Sequence, residues 1–179
     1  DLNTKELLET KYYDIKTTKS DNLTHNSDMV EKLNSKFKRS IELRMRADVP
    51  VAVSLSGGLD SSSILMESST HLNGPHNTFS IVYDKENNNI DESKWIDIIN
   101  SKYKTTNYKA IPTYEDLRKN LKEFIYTYDE PIRGTTFFAQ WRLMKLINSN
   151  NVRVSLEGQG GDEVFGGYHW YNKFNNFRR

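Results

Sequence analysis

The chain has 179 residues, a length that suits one domain able to bury roughly 70% of its unfolded surface. Charged residues make up 27% and nearly cancel to a formal +1, which excludes a general attraction to nucleic acid or an anionic membrane but not a local basic pocket for phosphates. With no cysteine, disulfides, thiolate zinc sites and a cysteine nucleophile are excluded within these residues, and no apolar run approaches the ~18 needed to span a bilayer.

Residues 1–26 are polar and mixed, with Tyr12, Tyr13 and Ile15 as an apolar cluster, and read as a linker or arm. Ser27 or Asp28 caps a helix in which Asp28 and Glu31 resemble a capping box. Val30, Leu33, Phe37, Ile41 and Met45 recur at helical spacing and predict one buried stripe. Pro50 disfavours helix at the residue before it, so the helix is expected to stop near Asp48. Val51–Leu55 reads as a buried strand, and a helix begins near Ser61. A second strand spans Thr78–Tyr83 and leads into a polar loop, DKENNNIDE. Trp95, Ile96, Ile98, Ile99 and Tyr103 predict a helix, and a short third strand lies near Tyr108–Ile111. Two helices follow, over Thr113–Tyr126 and Phe137–Ile147. Val152–Leu156 is a fourth strand. Strands alternating with helices predict an α/β fold, a doubly wound parallel sheet with strand order 3-2-1-4.

Two loops carry the chemistry. The first, Ser56-Gly57-Gly58-Leu59-Asp60-Ser61, separates strand one from its helix. Glycines let the backbone turn tightly and approach a ligand, and a helix N-terminus behind such a turn favours anions. Asp60 is out of place in an anion site unless a cation stands between it and phosphates, which points to phosphate with Mg²⁺. The lysine of a Walker loop is absent. A plain Gly-Gly turn with Asp60 as helix cap is the bland alternative. The second loop, Glu157-Gly158-Gln159-Gly160-Gly161-Asp162-Glu163, follows strand four and continues to Tyr168. Taken alone, it reads equally well as a flexible turn with a solvated acidic pair. In the expected topology strands one and four are neighbours at the point where strand order reverses, and ligands bind outside the carboxyl ends of the strands there. Asp60 and Asp162 are therefore expected to face one shared metal. His25, His71, His76 and His169 show no metal-ligand spacing. The aromatic run from Tyr168 to Phe177 is expected to be a helix face that packs on further parts of the fold.

SGGLDSS at Ser56–Ser62 resembles the pyrophosphate loop of the N-type ATP pyrophosphatases, a group with the adenine nucleotide alpha hydrolase-like fold. DVPVAVSLSGGLDSS at Asp48–Ser62, taken with EGQGGDEVFGGY at Glu157–Tyr168 and DEP at Asp129–Pro131, resembles the synthetase domain of the glutamine-hydrolysing asparagine synthetases. The match runs from about Asp28 to Tyr168. Guanylate synthetase, NAD synthetase and the tRNA-modifying relatives share the first loop but not the second.

The resemblance implies a cytoplasmic ligase that uses ATP and Mg²⁺. Aspartate attacks the α-phosphate of ATP, pyrophosphate leaves, and ammonia converts the aspartyl-adenylate to asparagine and AMP. It places Ser56, Gly57, Gly58, Asp60 and Ser61 on the pyrophosphate, Asp60 and Asp162 on Mg²⁺, and Leu55, Ile81 and Gly158 around the adenosine. Asp60, Gln159 and Asp162 are the catalytic candidates. It further implies that ammonia comes from a glutaminase domain outside these residues and that the full-length protein is a homodimer. Residues 1–26 would be the arm from that domain, and 27–179 a synthetase domain incomplete at its C-terminus. Two departures stand out, since typical members have Glu at the position of Gln159 and usually Ser at that of Glu157. Gln159 cannot take up a proton, so it is expected to orient the ammonia or an intermediate, with Glu157 and Glu163 the nearest carboxylates to receive the proton. Arg133, close to the DEP segment, is a weaker candidate for facing aspartate. The alternatives are a relative with another acceptor, such as a β-lactam synthetase, a lasso-peptide cyclase or a surface-sugar amidating enzyme, and a nucleotide-binding module without catalysis.

Overall fold

The computed structural model describes residues 7, 9–14, 27–72, 74, 76–83 and 92–171. Two units divide the chain, Asp1–Ser35 and Lys36–Arg179. In the first, Leu7, Tyr12 and Tyr13 are exposed. Residues 1–6, 8 and 15–26 of the expected arm, the polar loop at 84–91 and the aromatic tail beyond Tyr171 lie outside the described residues.

Helix α1 runs Ser27–Arg44. Its expected stripe is buried only in the second half. Ile41 joins the core with Phe37 and Met45 packed beside it, whereas Val30 and Leu33 are 52% and 49% exposed. Helical spacing shows which residues share a face but not how far along the helix that face is covered. The helix also ends short of Asp48, at Arg44, with Met45 N–H on the Ile41 carbonyl at 2.9 Å.

The second unit continues with β1 (Val51–Ser54), α2 (Leu59–Ser68), a 3₁₀ turn (Ser69–His71), β2 (Asn77–Ile81), α3 (Ser93–Tyr103) and β3 (Thr106–Ala110). Then come α4 (Tyr114–Tyr128), α5 (Thr136–Ser149), β4 (Val154–Leu156) and a short α6 (Gly161–Phe165). The four strands are parallel in the order β3-β2-β1-β4, as expected. Val53 pairs with Leu156. β4 stands at the edge of these four strands and β1 inside them.

Side chains alternate across the sheet, which makes two cores. Val53, Leu55 and Leu156 point to one side and pack with Ile41, Ile64, Leu65 and Ile96 from α1, α2 and α3. Ala52 and Phe79 point to the other and meet Leu143 and Ile147 of α5. α4 lies against α5 through Phe124, Phe138 and Trp141, whose indole N–H donates to Thr127 Oγ1 at 3.3 Å. β1 is buried on both faces, which explains why its sequence shows no polar alternation until Ser54. The DEP segment begins as a helix stop, with Asp129 left-handed (φ 56°) and its N–H on the Ile125 carbonyl. With both sheet faces covered by helices, the open ground is at the carboxyl ends of β1 and β4, and both glycine-rich loops leave from there.

Candidate active site

The first loop is knitted by its own serines. Gly57 takes a left-handed turn (φ 88°) against the start of α3, where an added Cβ would meet Trp95 Cβ at 3.0 Å and Ile96 N at 3.3 Å. Ser56 Oγ accepts from Gly58 N–H at 3.3 Å and shares a hydrogen bond with Ser61 Oγ at 3.0 Å. Ser61 Oγ also accepts from Ser56 N–H at 3.2 Å. The Ser62 hydroxyl donates to the Gly58 carbonyl at 2.6 Å, where the first α-helical N–H bond of α2 also ends. Ser61 is 4% exposed, so its hydroxyl staples the loop inwardly. The first-turn amides of a helix have no partner within the helix, and α2 begins at Leu59, directly behind this turn.

The second loop closes onto the first through absent side chains. A Cβ on Gly158 would lie 3.0 Å from Asp60 Cβ and 3.1 Å from Ser61 N. A Cβ on Gly161 would lie 2.4 Å from Asp60 Oδ2, so the Asp60 carboxylate rests in a cradle that only glycine leaves open. Gly167 does the same for Asp162, whose Oδ1 occupies the space a Cβ would take. Gly160 supplies the left-handed turn (φ 85°) that starts α6.

Together the loops wall a cleft of about 770 Å³. That is within the range of about 300–1,000 Å³ for small-molecule sites. Leu55, Ser56, Gly58, Asp60, Ser61, Ile81, Gly158, Gln159 and Asp162, all singled out in the sequence, line it. Of the candidate set, Gly57 is the exception; it shapes the turn from behind. Arg133 is exposed and is not among the lining residues. Of the described histidines, His71, His76 and His169 are not among the lining residues, and His76 is buried with its pKa lowered by desolvation. Among the described residues no group of three or more His, Asp or Glu forms a metal cage.

Sequence reasoning missed the opposite wall. Phe79 of β2 and Thr136, Ala139, Gln140 and Leu143 of α5 line the cleft. Their signal was a polar Gln140 on the otherwise apolar face of α5 that carries Ala139 and Leu143. It also missed Ser54, the last residue of β1, whose Oγ bonds Ser155 Oγ at 2.8 Å and donates to Glu157 Oε1 at 3.1 Å. Glu157 thus faces the cleft on a fixed support. Glu163 does not line it. Its carboxylate takes a 2.6 Å hydrogen bond from the Tyr168 hydroxyl. That bond holds the Glu163 carboxyl below its ordinary range and pushes the Tyr168 phenol up to about 12.

The family model described as asparagine synthase matches residues 32–179. The chain belongs to the asparagine synthase family. Within that family it is 32% identical, over 94% of its own length, to a Methanocaldococcus jannaschii protein assigned as glutamine-hydrolysing asparagine synthetase 2, of which it covers 32%. It is 31% identical over 81% of its length to asparagine synthetase (glutamine-hydrolysing) 3 of Bacillus subtilis, and covers 25% of it. It is 26% identical over 83% of its length to amidase chyE of Penicillium rubens, covering 24%. The chain therefore spans about a quarter to a third of these relatives.

Proposed function

We propose that these residues form the nucleotide-using part of an ATP-dependent amide-forming ligase that adenylates the side-chain carboxylate of aspartate, releases pyrophosphate and passes ammonia to the acyl group. The observation that carries this reading is the closure of the two loops on each other. Gly158 and Gly161 admit Asp60, so residues about a hundred positions apart wall one cleft.

The residues that line the cleft suit the steps of that reaction. Leu55, Ile81 and Gly158 would hold the adenosine, with Phe79 and Leu143 extending the apolar wall. Ser56, Gly57 and Gly58 shape the first loop, and the amides at the start of α2 would bind the pyrophosphate, with Ser61 holding the turn. The donor set suits Mg²⁺, which typically takes one or two carboxylates and completes its shell with phosphate oxygens and water. Asp60 and Asp162 would hold it, each already seated over a glycine that leaves room for its carboxylate. Bound there, Mg²⁺ would offset the charge on the leaving pyrophosphate. The remaining work of the protein is positioning, which keeps the attacking carboxylate oxygen, the α-phosphorus and the leaving oxygen in line. Gln159 would orient ammonia or the adenylate by hydrogen bonds. The ammonia itself would come from a glutaminase activity, in keeping with the names of the Methanocaldococcus jannaschii and Bacillus subtilis relatives.

The test is ATP–pyrophosphate exchange in the full-length protein. Exchange that depends on aspartate is expected, and an absence of exchange refutes the reading. A second acceptor class is favoured by one observation, the likeness to a protein named as an amidase. Exchange driven by another carboxylate and not by aspartate would support it.

A further inference from the structure

Transfer of ammonia to an acyl-adenylate needs somewhere for a proton to go, and Gln159 cannot receive it. The two carboxylates beside it in sequence, Glu157 and Glu163, differ completely in the structure. Glu163 stands outside the cleft and is engaged by the Tyr168 hydroxyl at 2.6 Å. Glu157 lines the same cleft as Gln159, half-buried, two residues before it. Its Oε1 is anchored by the Ser54 hydroxyl at 3.1 Å, and Ser54 is itself tied to Ser155 at 2.8 Å. Both serines come from adjacent strands of the sheet, so the carboxylate is held from a rigid base.

We propose that Glu157 is the proton acceptor of the ammonia-transfer step, a catalytic carboxylate placed two residues before the position that Gln159 occupies. This rests on the function proposed above. In the step, the ammonia nitrogen forms a bond to the acyl carbon, and the acyl C–O bond to AMP breaks with its electron pair leaving on the phosphate. One N–H proton moves to Glu157, which becomes a neutral carboxyl and returns the proton to solvent. Ser54 keeps the carboxylate aimed at the cleft while its other oxygen receives the proton.

The experiment uses the full-length protein with aspartate, ATP and ammonium, and reads pyrophosphate exchange and ammonia-dependent amide formation separately. Glu157→Gln preserves size and the bond from Ser54. It is expected to leave exchange within about threefold while slowing amide formation by about 10²-fold, the lower end for loss of a general base. The double variant Glu157→Gln with Gln159→Glu moves the carboxylate two residues along and is expected to recover at least about tenfold of that loss. Glu163→Gln is expected to transfer ammonia as the parent does. A parental rate of amide formation in Glu157→Gln overturns the proposal, as does an equal loss in Glu163→Gln. If the parent protein shows no exchange, the proposed function itself is wrong and Glu157 loses its role with it.

Discussion

Replacing Gly161 by alanine separates the site from the fold. Gly161 opens α6 without a positive φ, so the backbone accepts alanine there, and a helical Gly→Ala change removes about 0.5–1 kcal/mol of backbone-entropy cost. The new Cβ would nonetheless land 2.4 Å from Asp60 Oδ2 and 2.5 Å from Cγ. A carbon–oxygen contact relaxes near about 3.3 Å, so the carboxylate has to retreat by about 0.9 Å or rotate away. A displacement near 1 Å in a positioned group costs about 10²-fold in rate. The expected pair of results is a melting temperature that holds or rises, with pyrophosphate release down by about 10²-fold. Gly158→Ala is the control. Its Cβ would press on Asp60 Cβ and the Ser61 backbone nitrogen, which cannot rotate aside, so both stability and rate should fall. Thermal melts and a coupled pyrophosphate assay on full-length variants decide the matter. A Gly161→Ala protein that releases pyrophosphate at the parental rate would refute the idea that the seat of Asp60 matters to the chemistry.

Asp60→Ala and Asp162→Ala should each lower pyrophosphate release at least ~10²-fold, the scale for one lost electrostatic stabiliser, and Mg²⁺ titration should shift to higher concentration in both. Gln159→Ala should slow ammonia transfer more than adenylate formation, measured as amide product against exchange, and equal effects on the two would remove its orienting role. His76 is 2% exposed, and neither ring nitrogen has a hydrogen-bond partner among the described residues. Burial lowers its pKa, so the folded state resists a proton that the unfolded state accepts. The resulting stability is complete above the unfolded value of about 6.5 and is lost as the pH falls below it. Urea midpoints should therefore drop between about pH 7.5 and about pH 5.5, and His76→Leu should flatten that drop.

The strand order could be read from the sequence because each strand is short, apolar and followed by a strong turn signal, and right-handed crossovers leave few ways to connect four parallel strands. The two loops were legible for the same reason, since glycines at Gly57, Gly158 and Gly161 are required by a positive φ or by the Asp60 seat. The α5 wall was not, because Ala139 and Leu143 look like any core-facing positions, and only the topology brings them over the carboxyl end of β1 and β2. Nor was the difference between Glu157 and Glu163. Both are acidic residues in one loop, and it is Ser54, a hundred residues away, and Tyr168 that give them opposite surroundings. The exposed first half of α1 escaped prediction because periodicity carries no information about where a partner surface ends.

The bond between Ser54 and Glu157 joins residues 103 positions apart. During synthesis β1 emerges with β2 and β3 soon behind it, while its other neighbour is still unmade. At about 5–20 residues per second, the flank of β1 that will receive β4 waits roughly 5–20 s. Through that interval β1 is an edge strand with open backbone groups, the kind of surface that recruits other chains. These four strands thus assemble from one side, and the cleft forms only when β4 brings its second wall. A nascent chain stalled before Val154 would carry three of these four strands and half of the cleft. It would be prone to association and unable to be rescued by ligand.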